Sequence, residues 1–129
     1  MADKIVLVDT SILIDLFRKT DKANSALVAL VRQGYTYCIS AVTEYEIYTG
    51  AALGQIDFWN NFLQTTQVLP FDKEVAKVAV DVNRDLKRKR KQIAIPDLFI
   101  AATAIANNLP FATLNKKHFD RIERLNVIE

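Results

Sequence analysis

Three acids in this chain stand where carboxylates do chemistry. Asp9 ends the apolar run Ile5-Val6-Leu7-Val8, Glu46 lies within "SAVTEYEIYTGA", and Asp97 follows Pro96 at the head of "DLFIAATAIA". A carboxylate that ends a buried strand or heads a buried helix sits at the rim of a core, where its charge needs a partner. Acids crowded at such a rim repel one another, so either their pKa values rise or a cation neutralises them. All-oxygen ligation selects Mg2+ or Mn2+, and such an ion activates water and stabilises a phosphodiester under attack. Metal-dependent nuclease chemistry is the expectation.

Each acid also has a plainer use. Asp9 suits the N-cap of a following helix, although Thr10 and Ser11 are available for that task. Thr43 and Glu46 have the spacing of a capping box. Asp97, next to Pro96, suits the positive end of a helix dipole. Asp15, Asp81, Asp85 and Glu123 are expected on solvated helix faces.

The elements that must position these acids follow from periodicity. Residues 4–8 read as a buried strand, and 11–19 as a helix that Ser11 caps and that turns Ile12, Leu13, Leu16 and Phe17 inward. Residues 22–33 carry apolar side chains at helical spacing and stop at Gly34. "YTYCIS" at 35–40 suits a strand, and the pattern turns helical from about Thr43, which places Glu46 in a first turn. A short helix spans 55–64. "QVLPF" is an extended edge piece, since Pro70 removes a ladder donor. Residues 72–91 give the longest helix, with Lys87-Arg88-Lys89-Arg90-Lys91 at its C-terminal end. Pro96 opens a helix apolar on nearly every side, "PFATL" and "NVIE" read as strands, and Asn115 to Phe119 as a turn or short helix. Strands alternating with helices predict a three-layer α/β/α sandwich with a mainly parallel sheet of four or five strands. In such sheets ligands bind beyond the carboxyl ends of the strands. Asp9, Glu46, Asp97 and Asn115 all fall at strand-to-helix junctions and so share that edge.

With 129 residues, half of them apolar, the chain fits one globular domain. Its longest apolar stretches fall short of the ~20 residues a membrane span needs, and the N-terminus lacks a secretory pattern, so a cytoplasmic protein is expected. One cysteine and one histidine exclude a disulfide and a zinc-thiolate site. Cys38 is expected in the core. A net charge of +2 identifies no partner by itself. The five consecutive cations at 87–91 are the local exception: a solvated helix end, or in a nuclease a set of phosphate contacts.

Three segments, "IVLVDTSILIDLF", "SAVTEYEIYTGA" and "IPDLFIAATAIANNLPFATLNKKHF", resemble in order the signatures of PIN-domain ribonucleases, in particular the VapC-type toxins of bacterial toxin–antitoxin pairs. The resemblance covers essentially the whole chain. It implies a single PIN domain over residues 1–129, with Asp9, Glu46 and Asp97 as the catalytic, metal-binding cluster and Thr10 or Ser11 helping to orient Asp9. It further implies Mg2+ dependence with Mn2+ as substitute, RNA cleavage leaving a 5′-phosphate, a homodimer, and neutralisation by a partner antitoxin. The family commonly adds a fourth acid in the segment matching Asn115 to His118, and here neither position is a carboxylate. Asn115 can coordinate through its amide oxygen, and His118 can ligate or carry protons, but one fewer negative charge weakens metal binding.

That departure motivates a competing reading: a PIN-fold module that binds RNA or protein with weak or no nuclease activity. A receiver domain of two-component signalling fits poorly, because Asp9-Thr10-Ser11 stands where paired acids are expected. The three glycines form no phosphate-binding loop.

Overall fold

In the computed structural model, which describes residues 4–128, four parallel strands form one sheet. They are β1 (Lys4–Val8), β2 (Tyr35–Ser40), β3 (Gln67–Leu69) and β4 (Phe111–Ala112), in the order β3-β2-β1-β4. Helices α1 (Thr10–Arg18) and α2 (Ala26–Arg32) connect β1 to β2. The link from β2 to β3 carries α3 (Ala41–Gly50) and α4 (Ile56–Leu63). Then α5 (Lys73–Arg88) and α6 (Ile95–Ala106) lead to β4, and α7 (Lys116–Phe119) follows it.

The period-2 alternation of strand side chains splits the apolar residues between two cores. Leu7, Cys38 and Phe111 point to one face, where Val75, Ala79, Val82 and Leu86 of α5 and Leu98, Ala101 and Ala102 of α6 cover them. Val6, Val8, Ile39 and Ala112 point to the other, under Ile12, Leu13, Leu16, Leu27, Leu30, Trp59 and Leu63. The sheet is therefore the middle of three layers, as the alternation of elements predicts. Spacings of four, three and four residues along α5 keep one stripe inward, whereas α6 is buried nearly all round. Trp59 is a core residue, wedged among Phe17, Phe58 and Phe62. Cys38 is buried, and burial pushes its thiol up to about 11, so it is a weak nucleophile. Among the described residues no helix is long and apolar enough to cross a membrane.

Several local expectations are corrected. The single helix expected over 22–33 is a 3-10 turn, Lys22–Asn24, followed by α2, because Ser25 stops the first and caps the second through Oγ to the Val28 N–H. Asp9, not Ser11, caps α1. Helix α3 starts at Ala41 with Ser40 as its cap, so Thr43 and Glu46 form no capping box and Glu46 lies in the second turn. Asp15 does not face solvent freely: its Oδ2 accepts from the Ala26 N–H at 2.9 Å and ties α1 to α2. α5 ends at Arg88, and Arg90 adopts φ 59°, turning the basic run out of the helix. "PFATL" pairs only at Phe111–Ala112, and "NVIE" contributes a single bridge from Val127 to Phe111.

Candidate active site

β1 and β4 are neighbours in register, Leu7 beside Phe111 and Val8 beside Ala112. The next residues, Asp9 and Thr113, thus emerge side by side at the carboxyl edge. Asp9 is 5% exposed and Thr113 3%. Thr113 Oγ1 donates to Asp9 Oδ2 at 2.6 Å, while the backbone N–H and the Oγ hydroxyl of Ser11 both donate to Oδ1. Ser11 Oγ in turn accepts from the Leu114 N–H at 3.1 Å, and Thr113 Oγ1 from the Asn115 N–H at 2.9 Å. Both carboxylate oxygens of Asp9 are therefore held by neutral donors.

Those donors do not compensate for burial. Desolvation is the largest influence on Asp9 and raises its pKa from 3.8; the Ser11 and Thr113 bonds oppose it, and the negative charge of Asp97 adds to the rise. The last influence shows that the first turn of α6 brings Asp97 within electrostatic reach of Asp9. Asp97 Oδ2 lies 3.0 Å from His118 Nε2. Glu46 is tied in from the other side, since Thr10 Oγ1 donates to Glu46 Oε1 at 2.7 Å and also meets Thr43 Oγ1 at 3.1 Å.

Thr10 and Ser11 thus hold different acids, Thr10 taking Glu46 and Ser11 taking Asp9. Asn115 is not brought in: its side chain is exposed and caps nothing, and only its backbone N–H joins the network. Among the described residues no three His, Cys, Asp or Glu side chains are gathered closely enough to share one ion. The donor chemistry still fits a hard divalent cation, because burial and the Asp97 charge both disfavour ionised Asp9 and a cation reverses both. Joint coordination would use the lone pairs that the hydroxyl and imidazole partners leave free on these carboxylate oxygens.

The basic run lies apart from this cluster, at the C-terminal end of α5. Lys89 bridges Asp85 at 3.0 Å and Glu123 at 2.8 Å, and Arg88 pairs with Asp85. Lys87, Arg90 and Lys91 make no ion pair among the described residues. Thr113 is the functional candidate that local pattern missed. A hydroxyl at the first position past a buried strand, adjacent in register to an acid at the same position of its neighbour, is the signal that finds it.

With this fold and edge described, comparison with known proteins gives the class. Residues 6–125 match the PIN domain, and the chain belongs to the PIN-domain family. Within it, the chain is 33% identical over 123 residues to Ribonuclease VapC1 of Methanocaldococcus jannaschii, covering 95% of this chain and 84% of that protein. A toxin–antitoxin complex from Klebsiella pneumoniae contains a chain 30% identical to it, with a TM-score of 0.73 and coverage of 93% and 94%. The DNA-bound VapBC structure from Salmonella typhimurium superposes with a TM-score of 0.85 at 22% identity, covering 97% of each chain, which supports the fold.

Proposed function

We propose that the protein is a divalent-metal-dependent endoribonuclease of the VapC type, a toxin neutralised by a cognate antitoxin and acting in the cytoplasm as a homodimer. The observation that carries this reading is Asp9: a buried carboxylate beyond the end of a parallel strand, kept hard to ionise by desolvation and by a second acid. Asp9 also caps α1, but capping needs no burial beside a second acid, and such a perturbed group supports the reading of a site that a cation completes. Similarity to ribonucleases named VapC and to a toxin–antitoxin complex supports an RNA substrate and a protein partner.

Asp9, Glu46 and Asp97 would hold Mg2+, with Mn2+ as substitute. When bound, such an ion supplies charge neutralisation at the phosphodiester and a water of lowered pKa. The chain's own residues do the positioning: Ser11 and Thr113 fix the Asp9 carboxylate, Thr10 fixes that of Glu46, and buried α6 sets the place of Asp97. Away from the acids, Lys87, Arg90 and Lys91, which make no ion pair among the described residues, offer cations to RNA phosphates. The test is cleavage of RNA by purified, antitoxin-free protein with and without Mg2+. Cleavage that needs the ion and is lost in Asp9→Asn is expected; cleavage retained by that variant refutes the assignment.

A second reading, a module that binds RNA or protein without cutting, is favoured by one observation. The acids are not gathered as a ready-made cluster and no fourth carboxylate stands at Asn115 or His118. Calorimetric titration with Mg2+ and Mn2+ separates the two, since a binding module need show no affinity for either.

A further inference from the structure

The segment from Thr113 to Phe119 reaches both central acids. Its first residue holds Asp9 through Thr113 Oγ1, and near its end His118 Nε2 meets Asp97 Oδ2 at 3.0 Å. Between them the Leu114 N–H is fastened to Ser11 Oγ. The far end is anchored by Phe119, 1% exposed, which packs edge-on against Phe111 at 4.8 Å between ring centroids. The His118 ring stands at 86° to that of Phe119, and its own backbone N–H is bonded to the Asn115 carbonyl at 3.2 Å. The imidazole is thus carried on an arm fixed at both ends.

Asp97 has a fixed backbone but few restraints on its carboxylate. It follows Pro96 in the first turn of α6, whose Leu98, Ile100 and Ala101 are buried, so packing holds the main chain in place. Among the described residues, His118 is the only side chain hydrogen-bonded to it. One bond to Oδ2 selects one orientation of the carboxyl plane and leaves Oδ1 open. Because a carboxylate only accepts, the facing nitrogen must carry the proton, which sets the neutral ring as the Nε2–H tautomer. A nitrogen used as a donor has no lone pair left for a metal.

We propose that His118 is a positioning residue for Asp97, its Nε2–H anchoring Oδ2 so that Oδ1 is presented to a divalent cation held with Asp9. The inference rests on the metal-nuclease reading and deepens it: His118 supports a ligand and is not itself one. Outer partners that orient ligating carboxylates typically change metal affinity or activity ten- to a hundredfold when removed.

The chain has one histidine, so its ring signals in a long-range 1H–15N spectrum need no assignment. In metal-free protein at a pH where the ring is neutral, the Nε2–H tautomer is expected, with its signals moving in Asp97→Asn. His118→Ala should weaken Mn2+ binding and lower kcat by about ten- to a hundredfold with KM for RNA nearly unchanged. His118→Gln, which restores an N–H donor, should recover most of both losses. A dominant Nδ1–H tautomer, wild-type Mn2+ affinity in His118→Ala, or a Gln variant as impaired as the Ala variant overturns the proposal. Failure of the nuclease reading shows separately, as wild-type protein that cuts no RNA or as Asp9→Asn that still does. In either case the tautomer and the Mn2+ affinity ratio still decide the role of His118.

Discussion

Asp9 and Asp85 are both clasped by several donors, yet their acidities move in opposite directions. Asp9 is buried among hydroxyls at the carboxyl edge, and desolvation holds its pKa up against the bonds from Ser11 and Thr113. Asp85 lies on the solvated face of α5, where the hydrogen bond from Lys89, followed by the charges of Lys89 and Arg88, brings its pKa down. Hydrogen-bond number does not separate the two. What separates them is burial together with charge: Asp9 is desolvated and has a second acid for a neighbour, while Asp85 is solvated and has two cations. The edge is electrostatically incomplete and the α5 corner is complete, which is the difference expected between a site and a strut.

The largest test of that contrast is Asp9→Asn. Loss of several kcal/mol of metal-based stabilisation corresponds to a fall of roughly a thousandfold in RNA cleavage. The same variant should be more stable than wild type at neutral pH. A folded pKa above 3.8 means that native Asp9 keeps its proton where the unfolded chain has released it, so stability falls as pH rises through that window and stays lowered above it. Asparagine removes the penalty. Melting curves should show a higher Tm for the variant at neutral pH, and a gap that closes as pH drops below 3.8. Mn2+ should raise the Tm of wild type and not that of the variant, by mass action on the folded state.

Protons and metal compete for the same oxygens, which gives the next effect. At limiting Mg2+ the acid limb of the cleavage profile should lie above the ordinary aspartate range and move to lower pH as Mg2+ is raised. A limb that ignores Mg2+ would show that Asp9 is not the titrating ligand.

Thr113→Val probes the edge more gently. It deletes the donor to Asp9 and the acceptor for the Asn115 N–H, which costs about 1–2 kcal/mol in urea unfolding. Cleavage should fall about tenfold, because the Asp9 carboxylate loses one of its two orienting hydroxyls. An equal loss in a Thr113→Ser variant, which keeps the hydroxyl, would count against that account.

Thr113 also marks how far the sequence could be read. The strands, the long α5, the buried α6 and the strand-to-helix junction bearing Asp9 followed from periodicity, because each depends on residues a few positions apart; Asp97, expected at such a junction too, instead follows the turn between α5 and α6. The site's wiring does not. The Thr113–Asp9 bond joins residues 104 apart, and the Thr10–Glu46 bond residues 36 apart, so no local pattern encodes them. Short polar caps misled for a related reason. Ser25, Ser40 and Asp9 each outcompeted a neighbour as a helix start, a choice set by where the preceding element ends. Asp15 looked like a solvent-facing helix residue until the start of α2 came to rest against it. The registers of "PFATL" and "NVIE" were shortened by pairing that only the assembled sheet defines.

Within the basic run, the ion pairs predict a division of labour. Lys89 is committed to Asp85 and Glu123, while Lys87, Arg90 and Lys91 are unpaired among the described residues. Neutralising those three should make the salt dependence of RNA binding shallower by about 2 in log–log slope, at roughly 0.7 per phosphate contact for a single strand. Lys89→Gln should leave the slope nearly unchanged. If Lys89 matters as much as the others, its pairs open on binding and the corner is less complete than its geometry suggests.

The smallest effect belongs to Asp85→Asn, and its smallness is the point. Lys89 keeps Glu123 at 2.8 Å, so the corner retains one ion pair, and the Arg88 and Lys89 charges released from Asp85 lie in solvent. Exposed pairs of this kind contribute little and are screened by salt. The expected Tm shift is therefore slight and vanishes in molar salt, with cleavage at wild-type rate and RNA affinity unchanged or modestly higher. Asp9→Asn makes the same chemical change and should abolish activity while stabilising the fold. The pair of variants, assayed side by side, isolates what burial without a cation does to a carboxylate. A large catalytic loss in Asp85→Asn would erase the distinction, because the α5 corner would then belong to the working site.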